Sequence, residues 1–263
     1  MFSMVLTYAV CNVPVMPLRS EPSHHAEQTS QLLFGERAEV LEIDNNEWAR
    51  VRCYWDDYIG WCKASQLSFI SRKEYGKHAK FLAASHSGKL IFDEAEMQLP
   101  LGAEIHLKSG KVTAGFFHGK FKGKRYSVKK LNIAEANLKQ TAMLYMNAPY
   151  QWGGRSVSGI DCSGLSQMVY KLSGQKLQRD AWQQALEGET VDFLQNARCG
   201  DLAFFDNADG KITHVGMLLD EATIIHATEI AGRVVVDRID PGGIISTTLK
   251  KRTHNLRLVK RFF

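Results

Sequence analysis

The stretch that decides the fold is PYQWGGRSVSGIDCSGL, residues 149–165. It begins as an aromatic, glycine-rich loop and runs into Asp161 and Cys162, after which apolar residues recur at helical spacing. The positions predicted to share one helix face are Leu165, Met168, Val169 and Leu172. Gly174 follows them, where a glycine commonly ends a helix.

Cys162 is the candidate nucleophile of this stretch. Asp161 is a suitable N-cap residue, which places Cys162 in the first helical turn. A helix N-terminus lowers the pKa of a thiol and favours the thiolate, the form that attacks. The alternative is an inert, buried small side chain, which is the usual role of a single cysteine.

A nucleophilic thiol needs a base, and His214 in the segment ITHVGM can supply it. If a hairpin turns near residue 220, His214 and His226 lie opposite or nearly opposite each other on adjacent strands. Such positions share a face, so one imidazole can orient the other. The alternative is an ordinary pair of histidines, which is also what we expect of the remaining ones, His254 included.

Composition limits the classes of partner. The formal charge of +5 over 263 residues suits an anionic substrate but is too weak to indicate nucleic acid. No window approaches 18 apolar residues, so no membrane span is expected. The five cysteines include no C-x-x-C pair, which argues against a metal site and against a disulfide framework. Residues 1–6 lack a basic region and a cleavage site, so a cytoplasmic location is expected.

The first part of the chain predicts short strands separated by turns. Tyr8–Val15 is predicted as one strand, and 38–43, 48–53 and 58–62 as others, which suggests a small barrel. Residues 1–71 resemble a bacterial SH3-like domain. The segments that carry the resemblance are LRSEP (18–22), QLLFGE (31–36), EWARV (47–51) and YIGW (58–61), with Leu67 closing.

Residues 72–131 are interpreted as a second, degenerate SH3-like barrel. Phe81–Ala83 and Glu104–Leu107 have the composition of strands, and a basic run follows between 120 and 130. That run fits a solvated hairpin face better than a polyanion contact.

Residues 132–263 form the third predicted domain. Asn132 is predicted to cap a helix that runs to about Asn147, and the Cys162 helix and a short helix after Arg179 follow. The remainder predicts strands, including Arg233–Val236. Helices followed by an antiparallel sheet indicate an α+β fold.

The third domain resembles an NlpC/p60 cysteine peptidase. The motifs that carry the resemblance are PYQWGGR (149–155), DCSG (161–164), RDA (179–181), GDLAFF (200–205), HVGM (214–217) and IIHA (224–227). The resemblance implies a papain-like fold in which Cys162 is the nucleophile, His214 the base and His226 the third member. It implies neither a metal nor another cofactor.

Two SH3-like units before such a domain resemble the γ-D-glutamyl-L-diamino-acid endopeptidases. That resemblance implies a murein-derived peptide, L-Ala-γ-D-Glu-diamino acid, as substrate, a free amino group on its alanine, and a role in peptidoglycan recycling. The residues implied to bind it are Glu27, Tyr58, Tyr150, Trp152, Asp161, Ser163, Arg179 and Asp180. The hydroxyl of Tyr150 and the backbone N–H of Cys162 are candidates for holding the oxyanion. A monomer is expected.

Two other functions remain open at this stage. The chain could be an inactive protein that binds cell-wall peptides, although the joint presence of Cys162, His214 and His226 argues against it. It could also be an acyltransferase that uses the same thioester.

Overall fold

The computed structural model describes residues 4–92 and 95–263, so the expectation for residues 1–3 lies outside the described residues. The chain divides into two compact units. The first comprises Met1–Leu131 with Arg155–Val157, and the second comprises Asn132–Gly154 with Ser158–Phe263. Within the described part of the chain, no helix is both long and apolar enough to cross a membrane.

The first unit opens with a seven-stranded antiparallel sheet in the order β3-β2-β6-β5-β4-β1-β7. Its strands are β1 (Thr7–Cys11), β2 (Val15–Arg19), β3 (Gln28–Leu33), β4 (Arg37–Ile43), β5 (Trp48–Cys53), β6 (Ile59–Lys63) and β7 (Leu67–Ile70). The strand predicted over Tyr8–Val15 is in fact two strands, β1 and β2. The chain turns between them at Pro14, which has no N–H to donate to a sheet. Alternate residues of β4 and β5, such as Val40 and Val51, point inward and form part of the core.

The rest of the first unit forms two smaller sheets, β10-β9-β14-β13-β12 and β11-β8-β15. The elements are α1 (Arg72–Tyr75), β8 (Phe81–Ala83), β9 (Lys89–Phe92), β10 (Ala95–Gln98), β11 (Glu104–Ile105), β12 (Leu107–Lys108), β13 (Lys111–Ala114), β14 (Phe117–Lys122) and β15 (Arg125–Ser127). Their core includes Val10 and Phe34 from the first seven-stranded sheet and its adjoining turn. Residues 1–131 therefore pack as one unit, and a separate second barrel at 72–131 stays a prediction.

A short segment, β16 (Arg155–Ser156), also belongs to the first unit. The Arg155 guanidinium donates to both carboxylate oxygens of Glu36, at 2.8 and 3.0 Å, and to the carbonyl oxygen of Gln31. Both side chains of this ion pair are about 2% exposed. Because a buried charge is tolerated only when it is paired, Glu36 accounts for the position of Arg155.

The second unit packs helices on an antiparallel sheet in the order β18-β24-β19-β20-β21-β22-β23, and β23 also pairs with β24. The helices are α2 (Glu135–Met143), α3 (Cys162–Leu172) and α4 (Ala181–Gln184). The strands are β17 (Gly159–Ile160), β18 (Glu189–Thr190), β19 (Leu202–Asp206), β20 (Ile212–Leu218), β21 (Thr223–Thr228), β22 (Arg233–Asp240), β23 (Gly243–Ile245) and β24 (Arg252–Arg261). Helix α3 packs on β20 and β21, and Phe205, Leu218 and Ile224 lie in the core of the sheet.

Two helix predictions need correction. Asn132 is not the N-cap of α2, because that helix begins at Glu135 with Ala134 at the cap position, and the Asn132 side chain accepts a hydrogen bond from Asn137 instead. Helix α3 buries all eleven of its residues rather than one apolar face. Its polar side chains remain satisfied inside the protein, since Ser166 bonds Gln184 and Gln167 bonds Leu177.

Candidate active site

The N-terminus of α3 is fixed by the carboxylate of Asp161. One oxygen accepts from the backbone N–H of Gly164 at 2.7 Å, as an N-cap does, and the other accepts from Gly153 at 2.8 Å. The carboxylate thereby ties the glycine-rich loop to the first turn of the helix. Gly164 is required there because a Cβ on it would lie 2.2 Å from the carbonyl oxygen of Gly154.

Arg179 completes the support of this helix start. Its guanidinium donates to both oxygens of Asp161, at 3.1 and 2.6 Å, and to the hydroxyl of Ser163 at 2.9 Å. The Arg179 side chain is only 1% exposed. That placement favours a structural role for Asp161, Ser163 and Arg179, and the expectation that they bind substrate stays a prediction.

The thiol of Cys162 lies in the first turn of α3, in hydrogen-bonding reach of the backbone N–H of Val215 on β20. Cys162 is 6% exposed. Burial raises the pKa of this thiol to about 12, the charge of Asp161 acts in the same direction, and the Val215 N–H opposes them. The lowered pKa expected from the helix N-terminus is therefore wrong for the free protein, because desolvation of the thiolate outweighs the helix.

Three side chains on three consecutive strands form a hydrogen-bonded chain beside the thiol. Nε2 of His214 on β20 lies 2.8 Å from Nδ1 of His226 on β21, and Nε2 of His226 lies 3.3 Å from Oδ2 of Asp237 on β22. The other oxygen of Asp237 accepts from the backbone N–H and the hydroxyl of Thr247. All three members of the chain are buried.

The hairpin register differs slightly from the predicted one. The observed pairs are Met217 with Ile225 and Leu218 with Ile224, so His226 lies opposite Gly216, two residues from His214. Both imidazoles still share a face, because side chains alternate with period two. Gly216 leaves room for the side chain of His226 on the neighbouring strand, since a Cβ on Gly216 would lie only 3.0 Å from the Cβ of His226.

The hydrogen bonds among His214, His226 and Asp237 determine which ring nitrogens carry protons. Although burial alone would raise it, hydrogen bonds from His226 and Thr247 hold the pKa of Asp237 at about 2, so this carboxylate only accepts. With one proton on each ring, His226 donates from Nε2 to Asp237 and accepts at Nδ1 from Nε2–H of His214. Nδ1 of His214 is left with a free lone pair. Burial, reinforced by His226 and His254, lowers the pKa of His214 well below 6.5.

His254 on β24 corrects the expectation that it is an ordinary histidine. Its ring stacks on that of His214, with centroids 4.1 Å apart and planes inclined by 22°. Burial lowers the pKa of His254 to about 4, so it covers His214 as a neutral ring. The sequence does not reveal this contact, because it depends on the order of the strands in the sheet. In that order β24 pairs with β19, and β19 pairs with β20, which carries His214.

The three imidazoles of His214, His226 and His254 each offer a nitrogen, and these atoms lie within 4.8 Å of one another. A tetrahedral metal site needs lone pairs that converge on one point. The stacked rings of His214 and His254 hold their lone pairs in two nearly parallel planes, and His214 and His226 are already joined by a hydrogen bond. The cluster is therefore better suited to moving a proton than to holding a metal.

The remaining predicted site residues are divided between the two units. In the second unit, burial raises the pKa of half-buried Tyr150, and the charge of the nearby Cys162 thiolate adds to that effect. Trp152 is 57% exposed, and Asp180 lies at the N-cap of α4. In the first unit, Tyr58 packs against the barrel core and Glu27 is exposed. Substrate binding by these residues stays a prediction.

Comparison with known proteins gives two family matches. Residues 147–253 match the NlpC/P60 family, and residues 18–67 match the bacterial dipeptidyl-peptidase SH3 domain. The first match covers the start of α3 and the three strands that carry His214, His226 and Asp237.

Several relatives resemble the chain over most of its length. Dipeptidyl-peptidase 6 of Lysinibacillus sphaericus is 28% identical over 255 residues, covering 85% of this chain and 88% of the relative. Gamma-D-glutamyl-L-lysine dipeptidyl-peptidase of Bacillus subtilis is 32% identical over 215 residues, covering 75% and 71%. A crystal structure of an NlpC/P60 family protein from Bacillus cereus shares the fold, with a TM-score of 0.83 at 19% identity over 97% of this chain and 99% of that one.

Proposed function

This chain belongs to the NlpC/P60 family, and from that premise we propose that it is a cysteine endopeptidase that hydrolyses the γ-D-glutamyl–L-diamino acid bond of cell-wall peptides. The observation that carries the proposal is the placement of a thiol at a helix start beside the chain His214–His226–Asp237. Both relatives are named dipeptidyl-peptidases, and the name of the Bacillus subtilis relative supports a peptidase that acts on a γ-D-glutamyl bond.

In the mechanism we propose, the resting pair is a neutral thiol and a neutral imidazole, because burial raises the pKa of Cys162 and lowers that of His214. Nδ1 of His214 takes the thiol proton as Sγ attacks the γ-carbonyl carbon of D-glutamate. The protonated His214 then gives that proton to the leaving amine of the diamino acid. Water, deprotonated by His214, cleaves the thioester and frees the γ-carboxylate.

In the proposed mechanism, two groups stabilise the oxyanion of the tetrahedral intermediates. The backbone N–H of Cys162 occupies the first position of α3, where N–H groups have no acceptor within the helix. The hydroxyl of Tyr150, close to the thiol, is the second. Removing one such donor typically costs about 10²–10³-fold in kcat, so Tyr150→Phe should lower kcat with little change in KM.

We propose further that the substrate carries a free amino group on its L-alanine, as fragments released from the glycan do. Asp180, partly exposed at the start of α4, provides a carboxylate for this ammonium. An N-acetylated peptide offers Asp180 no charge. Wild-type protein should cleave L-Ala-γ-D-Glu-L-Lys at least about tenfold faster than its N-acetyl form, and equal rates would remove this part of the proposal.

The direct test is mass spectrometry of L-Ala-γ-D-Glu-L-Lys and of its diaminopimelate analogue after incubation with the protein. We expect L-Ala-D-Glu and the free diamino acid, and a loss of roughly 10³-fold or more in Cys162→Ala or His214→Ala. His226→Ala should keep more activity, because His226 orients the base without touching the substrate. Cys199→Ala is the matched control, since that thiol lies outside the site. Hydrolysis at the wild-type rate by Cys162→Ala would show that the proposal is wrong.

The same assay separates hydrolysis from acyl transfer. In ¹⁸O-labelled water, hydrolysis places one ¹⁸O atom in the γ-carboxylate of the released dipeptide. With an added amine such as glycinamide, a transferase would instead give the amide as its main product.

A further inference from the structure

A cavity in the first unit lies among residues that the proposed chemistry does not use. Its volume is about 520 Å³, in the range of small-molecule sites. It forms where β1, β4, β7 and α1 meet β12 and β13. Part of the wall is apolar, with Val10, Ile70, Leu107 and Ala114 lining it.

The polar part of the wall is mostly cationic. Arg37, Lys77, Lys80 and Lys108 line the cavity, against the single carboxylate of Glu74. Among the residues that the structure describes, Lys77, Lys80 and Lys108 form no ion pair with an acidic side chain. The positive charge is therefore largely uncompensated by the protein itself.

Glu74 offsets only one of these four cations, and its carboxylate is held at the cap of α1. It closes a capping box at the start of α1 and accepts from the backbone N–H and the hydroxyl of Ser71, at 3.0 and 2.8 Å. These hydrogen bonds lower the pKa of Glu74 first, and the charges of Lys108 and Lys77 lower it further.

Arg37 supplies an independent indication that the cavity suits an anion. The residue is 3% exposed, and one end of its guanidinium donates to the carbonyl oxygens of Tyr75 and Lys77. Its Nε has no hydrogen-bond acceptor among the described residues, and the closest carboxylate oxygen, on Glu104, is 3.9 Å away. A buried guanidinium N–H without an acceptor is rare and costly in proteins.

We propose that this cavity binds a small organic anion with two negative charges, such as a phosphate monoester or a dicarboxylate, whose apolar body lies against Val10, Ile70 and Leu107. The anion contacts Lys77 and Lys108 through charge-assisted hydrogen bonds and gives the Arg37 Nε–H an acceptor. The site is separate from the thiol and its histidines, since every lining residue belongs to the first unit.

Calorimetric titration of the full-length protein tests this, with phenyl phosphate and phthalate as dianionic probes and benzyl alcohol as the uncharged match. We expect saturable binding of at least one dianion and none of the alcohol. If only one dianion binds, it identifies the head group as phosphate or dicarboxylate.

The double variant Lys77→Met/Lys108→Met keeps the alkyl stems and removes two charges. It should weaken binding of the dianion about tenfold, whereas Lys129→Met/Lys130→Met, which alters two exposed lysines outside the cavity, should change it less than about twofold. Near-ultraviolet circular dichroism confirms that both variants are folded. Absence of binding by either dianion, or equal weakening in the two variants, would overturn the proposal.

Discussion

At Cys162, two opposing influences act on one thiol. The start of α3 favours the thiolate, but burial disfavours it more strongly and raises the pKa to about 12. His214 responds to burial in the opposite sense, since its pKa falls well below 6.5. Both shifts favour the uncharged forms of Cys162 and His214 at neutral pH, so in the proposed mechanism the thiolate forms only when the proton moves to His214.

The raised pKa of Cys162 and the lowered pKa of His214 lead to a prediction for the pH dependence of labelling and of activity. Alkylation of Cys162 by iodoacetamide should be slow near neutrality and rise about tenfold per pH unit up to about pH 10. By contrast, kcat/KM should hold through neutrality and fall only at a pH well below 6.5, because the lowered pKa of His214 keeps its imidazole unprotonated and able to accept until then. Intact-mass kinetics with Cys162→Ala as the control measures the labelling. A plateau in labelling below pH 8 would instead indicate a resting ion pair.

In the proposed mechanism Asp237 is a positioning residue, since it contacts His226 rather than the substrate. Asp237→Asn keeps the shape of the side chain but can donate to Nε2 of His226, which favours the wrong tautomer of both imidazoles. We expect kcat to fall about 10–100-fold, with KM nearly unchanged and the acid limb of the pH profile displaced.

Asp240→Asn is the control on the same strand, because Asp240 forms a surface ion pair with Arg252 and does not touch the histidines. Equal kcat values in Asp237→Asn and Asp240→Asn would show that Asp237 does not position the base.

At the scale of the element, α3 depends on one buried carboxylate. Asp161→Asn removes the charge that holds Arg179, whose side chain is 1% exposed, and weakens the tie to Gly153. Breaking a buried ion pair from one side costs about 3–5 kcal/mol, so the urea unfolding midpoint should drop markedly.

Ser71→Ala at the exposed cap of α1 serves for comparison and should cost much less, because no buried charge is left behind. Similar losses in the two variants would mean that Asp161 acts only as a cap.

Local spacing predicted the parts of the site that lie within one element or one hairpin. The N-cap at Asp161, the position of Cys162 at the helix start and the shared face of His214 and His226 were all accessible from the sequence. Each of these predictions uses the repeat of a helix, 3.6 residues, or of a strand, two residues. The repeat is counted from an N-cap or a turn that the local sequence identifies.

Asp237 and His254 could not be found in this way. The strand predicted over Arg233–Val236 extends to Asp240, so the prediction stopped one residue before the carboxylate. His254 reaches His214 because β24 pairs with β19, which pairs with β20. Such an order is decided by packing of the whole sheet, not by the residues near His254. The pKa of Cys162 was mispredicted for the same reason, since burial is a property of the folded protein.

At the scale of the whole molecule, the ion pair of Arg155 with Glu36 makes the first unit depend on a distant part of the chain. Glu36→Gln removes the carboxylate that accepts two hydrogen bonds from the buried Arg155 guanidinium, which should cost about 3–5 kcal/mol. The matched control is Glu39→Gln, whose partner Arg52 is 30% exposed, and its loss should stay below about 1 kcal/mol. Urea unfolding of both variants measures the difference, and equal losses would contradict a stabilising role for the buried pair.

Residues 155–157 belong to the first unit, although the residues on both sides of them belong to the second. This arrangement limits where the protein can be divided into fragments. A fragment that ends at residue 131 would retain Glu36 but lose its cation, and a fragment that begins at residue 132 would carry Arg155 away from its acceptors. A gene fusion that exchanges the peptidase part for another would therefore have to bring an arginine at the position of Arg155, or a neutral residue in place of Glu36.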